Sequence, residues 1–219
     1  MESTTVHVCR HGQVQNPDHV LYGRLPGYGL SPLGHKMAAL LGAHFADVEV
    51  NHLRCSPLQR ARETMAPIAI AHPELDIVID ERVIEAANAL EGQSFGRYNQ
   101  RLLLPSNLRH LWNPLRPSWG EPYRLIASRM RSAILDAAAT SGPGGQAVIV
   151  AHQLPIWIAR LDAEGRRLVH NPALRECRLA SVTSFTVQDG RILGVRYAEP
   201  AAEAYADVYS AALFVRPGM

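Results

Sequence analysis

Lysine is almost missing from this chain of 219 residues, where Lys36 stands alone against 21 arginines. That bias fits genome composition as well as a need for forked anion contacts, so by itself it selects no function. An excess of one charge is missing too. With 22 basic and 20 acidic residues the formal net charge is +2, which argues against nucleic acid as the main partner. Cysteines are few and scattered. Cys9, Cys55 and Cys177 form no CxxC pair, so no structural zinc site, redox motif or disulfide framework is expected, and reduced thiols are. Cys9 and Cys55 read as small core residues. No stretch reaches 18 uninterrupted apolar residues, and residues 1–5 lack the basic and apolar regions of a secretory leader. A soluble, cytoplasmic protein with no membrane partner is the expectation.

What is present is the composition of an ordinary globular protein, 47% hydrophobic and 19% charged, and a length that suits one domain over residues 1–219. Residues 4–9 are β-branched and short and run into Arg10-His11-Gly12, as a buried strand ending in a loop would. Ser31 as N-cap and Pro32 at the first helical position open a helix through about residue 46. A second strand over 48–55 leads to Ser56-Pro57, which looks like the same helix start used again, with a helix over 58–71. Residues 77–79 form a third strand. The apolar run 147–151 reads as a central parallel strand, between helical patterns over 121–140 and 154–161. Residues 178–187 and 191–196, separated by Gln188-Asp189-Gly190, read as a closing hairpin. Strands that alternate with helices imply an α/β fold, a three-layer α/β/α sandwich with a mostly parallel central sheet. Residues 86–120 break the alternation with Pro105, Pro114, Pro117, Trp112 and Trp119, and are expected to form a lid-like insertion over the site.

In such sheets ligands bind outside the carboxyl ends of the strands. Three strand ends here deliver reactive side chains: Arg10-His11-Gly12, Ser56-Pro57 leading to Arg60, and His152. An imidazole can attack phosphorus, and guanidinium forks match phosphate oxygens. Two histidines and two arginines thus point to a pocket for a phosphoryl group. His7 and His11 are four apart, but in a strand that places them about 13 Å from each other, so no metal pair is expected.

Five segments, in order, resemble the histidine phosphatase superfamily in its phosphoglycerate mutase-like branch. They are Arg10-His11-Gly12, Gly23 with Leu30-Ser31-Pro32-Leu33-Gly34, Ser56 through Thr64, Glu85 with Glu91-Gly92, and Ala151-His152-Gln153-Leu154-Pro155-Ile156. The resemblance implies a phosphoglycerate mutase-like fold and a metal-independent, cofactor-free phosphomonoesterase acting on a small phosphorylated metabolite. It implies that His11 attacks phosphorus and carries a phosphohistidine, and that Arg10, Arg60 and His152 hold the non-bridging oxygens. Glu85 would act as general acid and then base, with Glu81 and Glu91 as the competing carboxylates. Gly12, Asn16, Gly23 and Gln153 are the expected substrate contacts.

Two other functions compete. The mutases of the fold carry a Glu-Arg-His-Tyr-Gly segment where this chain has Glu85-Ala86-Ala87-Asn88-Ala89, and the loss of those polar groups favours hydrolysis over mutase-type phosphoryl transfer. A non-catalytic module that binds a phospho-ligand is the alternative of another class, although every expected catalytic residue type is present. Between Gly92 and Gly120 the chain has Arg97, Arg101, Arg109, Arg116 and His110 and no acidic residue. Such a segment either attracts an anionic substrate or faces water. The substrate, the oligomeric state and the role of residues 201–219 stay open at this stage.

Overall fold

A computed structural model describes residues 2–94 and 120–204 of the chain. The expected lid residues 95–119, with their four arginines, and the tail 205–219 lie outside the described residues.

Six strands form one sheet in the order β3-β2-β4-β1-β5-β6. They are β1 (Thr4–Arg10), β2 (His52–Cys55), β3 (Ile77–Ile79), β4 (Gln146–Ala151), β5 (Val182–Gln188) and β6 (Arg191–Ala198). The first four pair in parallel, and β5 and β6 add an antiparallel hairpin beside β1. Its turn has positive φ at both Asp189 (51°) and Gly190 (69°), the backbone shape that matches the twist of a two-residue hairpin.

Alternation along the central strands divides the core in two. On one face Val6, Val8, Ala147 and Ile149 pack against α3 (Tyr123–Ser141) and α4 (Gln153–Ala163) through Ile126, Met130, Ile134 and Ile158. On the other, Cys9, Val148 and Val150 meet α1 (Pro32–Phe45) and α2 (Gln59–Ala71) through Met37, Leu41, Phe45, Met65 and Ile68. Helices on both faces make the layered α/β/α arrangement that the alternation implies. Burial raises the thiols of Cys55 to about 12 and Cys177 to about 11, so these cysteines are protonated packing groups.

The two Ser-Pro sequences behave differently. Ser31 caps α1 as expected, its Oγ accepting from the Gly34 amide at 3.0 Å. α2 instead starts at Gln59 behind Leu58 with no side-chain cap. The Ser56 hydroxyl, fully buried, is turned to His152 at 2.7 Å. The expected reuse of one helix start is therefore corrected: α2 begins later, behind Leu58, and Ser56 Oγ reaches only the Leu58 amide at 3.4 Å while bonding His152.

Candidate active site

β2, β4 and β1 are consecutive neighbours in the sheet, so their carboxyl ends bring Ser56, His152 and His11 together. Backbone bonds extend the ladder past the last strand residues, with His11 N–H on the Ala151 carbonyl at 3.2 Å and Ser56 N–H on Val150 at 3.0 Å. The rings of His11 and His152 stand 5.1 Å apart.

His11 is buried, and its Nδ1 lies 2.8 Å from the Gly12 carbonyl oxygen. A carbonyl can only accept, so Nδ1 carries the proton and Nε2 keeps a free lone pair. Arg60 Nε donates to that lone pair at 3.3 Å. Burial first, then the Arg60 and Arg10 charges, hold the His11 pKa well below the usual histidine range. The ring is a neutral imidazole with its nucleophilic nitrogen turned into the hollow.

Close backbone contact fixes this turn. A Cβ on Gly12 would lie 2.6 Å from the Gly34 carbonyl oxygen, so the chain after His11 can seat on the start of α1 only as glycine. The Gly12 amide donates to Thr64 Oγ1 at 3.1 Å, and Thr64 Oγ1 donates to the Arg60 carbonyl at 2.7 Å, which ties the His11 loop to the first turn of α2.

Arg60 is 1% exposed, yet among the described residues no carboxylate forms an ion pair with it. Its Nη2 donates to the Gly23 carbonyl at 2.7 Å, and its guanidinium lies 4.8 Å over the Tyr22 ring. A Cβ on Gly23, whose φ is 39°, would run into the Glu91 side chain. Arg10 Nη1 donates to the Cys177 carbonyl at 2.7 Å, and Arg10 Nε is buried without a partner. His152 is wholly buried and bonds Ser56 through Nε2, while its Nδ1 has no partner. If Ser56 donates its hydroxyl proton, Nδ1 is the protonated nitrogen. The hollow then contains unpaired donors from His152 and Arg10 and a buried Arg60 charge, which is a set made for an oxyanion.

Glu85 closes the rim. Its Oε1 accepts from the Ala86 amide at 2.8 Å, and burial raises its pKa against the opposing pull of Arg60, Arg10 and Arg175. The loop carrying it is clamped by Arg24 Nε on the Glu85 carbonyl at 2.7 Å and by Arg129 Nη1 on the Ile84 carbonyl at 2.8 Å, with Glu121 bridging both arginines. Of the competing carboxylates, Glu81 is exposed on a helical turn, and Glu91 Oε1 accepts from the Asn88 amide. Asn88 also bridges Gly120, which brings residue 120 beside the Glu85 loop.

The remaining sequence candidates contribute differently. Asn16 spends both ends of its amide on the Val20 backbone. Gln153 reaches the Cys177 carbonyl at 3.4 Å, the oxygen that Arg10 also uses. Ser56 opens one of the motif segments but bonds His152, and Tyr22 and Arg175 lie beside Arg60 and Glu85 without a place in any motif. Tyr22 lay one position before a motif glycine and was discoverable there, whereas Arg175 is in no motif.

A family model described as "Histidine phosphatase superfamily (branch 1)" matches residues 6–200. The chain belongs to the histidine phosphatase superfamily and is an enzyme of that family. It is 47% identical over 201 residues to the uncharacterised protein Rv0525 of Mycobacterium tuberculosis, covering 92% of this chain and 98% of that one. A probable phosphatase of Schizosaccharomyces pombe is 32% identical over 124 residues, 53% of this chain and 59% of that one. Among solved structures, Bacillus stearothermophilus YhfR superposes with a TM-score of 0.72 at 24% identity over 87% of this chain and 94% of that one. A mycobacterial glucosyl-3-phosphoglycerate phosphatase gives 0.72 at 21% identity over 90% and 98%. The fold is shared with these proteins, and the phosphoglycerate mutase-like architecture is the one expected.

Proposed function

We propose that the chain is a metal-independent phosphomonoesterase that hydrolyses a small phosphorylated metabolite through a phosphohistidine on His11. The observation that carries the reading is the His11 ring, fixed by Gly12 so that an unprotonated Nε2 faces the guanidinium of Arg60. His11 Nε2 attacks phosphorus as the bond to the ester oxygen breaks. Arg10, Arg60 and His152 Nδ1–H take the three non-bridging oxygens, where charge concentrates. Glu85, kept protonated longer than an ordinary carboxyl by burial, gives its proton to the departing alkoxide. It then takes a proton from water, whose oxygen attacks phosphorus and breaks the P–N bond. Inorganic phosphate and neutral His11 result.

To the same reading belong a single domain over residues 1–219, a lid-like role for residues 86–120 and a cytoplasmic setting. Among the described residues no helix is long and apolar enough to cross a membrane. The test is acid-quench trapping with a labelled phosphomonoester and no added metal. Label should appear on His11, and His11→Ala should abolish turnover. Label on another residue, or no phosphate released from p-nitrophenyl phosphate and a broad metabolite panel, would overturn the proposal.

A further inference from the structure

Charge pairing separates the arginines of this chain into two groups. Among the described arginines that are not exposed, Arg24, Arg54, Arg82, Arg129 and Arg160 each form an ion pair with a carboxylate. Arg10, Arg60 and Arg175 form none. Removing a guanidinium from water without a counter-charge is costly. Three guanidiniums, one buried and two half-buried, face the charge of Glu85 without an ion pair, which leaves a surplus of positive charge there. The oxygens of one phosphoryl group account for Arg10 and Arg60, and Arg175 is left over.

Its setting is built rather than incidental. Arg175 follows the helical turn Pro172–Leu174 on the connection from α4 to β5. Its Nε donates to His170 Nε2 at 2.8 Å. His170 can accept there because its Nδ1–H is used on the Leu168 carbonyl at 2.7 Å, which sets the tautomer. The His170 ring is wedged against Tyr123 at 5.5 Å and Trp157 at 6.1 Å. The guanidinium also acts on the Tyr123 hydroxyl beside it. Tyr123 opens α3 two residues after Glu121, which bridges the arginines that clamp the Glu85 loop. Two residues beyond Arg175, the Cys177 carbonyl holds Arg10. Arg175 is thus held on the same short segment whose Cys177 carbonyl anchors Arg10, and its charge acts on Glu85.

We infer that Arg175 is a specificity-determining residue that binds a second anionic group, a carboxylate or a second phosphate, carried on the alcohol part of the substrate. Its planar fork suits both groups. The inference rests on the proposed function only in seating the phosphoryl group against His11.

The experiment measures binding, so that it is separate from turnover. Calorimetry on His11→Ala protein, with and without Arg175→Gln, compares 3-phosphoglycerate with glycerol 3-phosphate for the carboxylate, and fructose 1,6-bisphosphate with fructose 6-phosphate for the second phosphate. With Arg175 present, the doubly anionic member of at least one pair should bind about tenfold tighter, and Arg175→Gln should reduce that ratio to about one. Which pair responds identifies the group. Arg175→Lys, which keeps the charge and loses the fork, should give an intermediate ratio and carries the test if the glutamine variant misfolds. Equal affinities within both pairs when Arg175 is present, or a ratio that survives its loss, would overturn the inference. A protein that binds in this pattern but never forms phosphohistidine would sink the phosphatase proposal alone.

Discussion

At the residue scale the site works by withholding partners. Arg10 Nε and His152 Nδ1 are buried polar atoms with nothing to bond, and a buried donor left open costs roughly 1–3 kcal/mol. In the proposed reaction a phosphoryl oxygen would remove that cost on arrival. Glu85 follows the opposite logic, since burial makes its charged form expensive and raises its pKa. The acid is needed most by poor leaving groups. Glu85→Gln should therefore slow alkyl phosphates by roughly 10² to 10⁴ while largely sparing p-nitrophenyl phosphate. In the unmodified enzyme, alkyl phosphate turnover should fall as pH rises through the raised Glu85 pKa, because the proton to be donated is then gone. The low pKa of His11 keeps its lone pair free on the acid side. Steady-state kinetics on both ester types across pH checks this, and equal slowing of both by the substitution would remove Glu85 from the role of acid.

At the scale of elements, what could be read from the sequence followed from how local the physics was. The run Ala147 to Ala151 is apolar on every residue because β4 is covered on both faces. Its identity as a central strand was visible from that alone. The Ser31 cap was visible because it satisfies a neighbour three residues away. Ser56 carried the same local signal and meant something else, since its partner His152 is 96 residues distant. Arg175 had no signal, for its position depends on His170, Tyr123 and Cys177, brought together only by the fold. His11, Arg10, Arg60, His152 and Glu85 are singled out by motifs; His11 lies 3.3 Å from Arg60 and 5.1 Å, ring to ring, from His152, and the charges of Arg10 and Arg60 act on Glu85. The Ser31 cap gives a measurable quantity: Ser31→Ala should cost about 1 kcal/mol and lower Tm by roughly 2–4 °C. Scanning calorimetry checks it, and an unchanged Tm would mean that the Gly34 amide finds another acceptor.

Across the whole molecule, the site is linked to stability through its histidines. His11 and His152 are both buried, and burial depresses both pKa values. The folded chain therefore resists taking up protons that the unfolded chain accepts below a pH of about 6.5. Stability is present in full above that pH and is lost as pH falls toward the depressed folded values, by about 1.4 kcal/mol per pH unit for each ring. Urea unfolding in phosphate-free buffer at pH 7.0 and 5.5 should show this decline, and His152→Gln should reduce its slope. A stability that stays level over the interval would contradict a neutral buried pair.

The 5.1 Å between the two imidazole rings is close to the spacing of adjacent strands, about 4.8 Å, and β1 and β4 are adjacent strands. The gap between the two ring centres thus matches a repeat distance of the sheet on whose neighbouring strand ends they stand. Connections that carry neither ring can be lengthened, shortened or exchanged while the two rings keep their separation. One chemistry can thereby be offered to many alcohols by recutting the parts that never touch phosphorus.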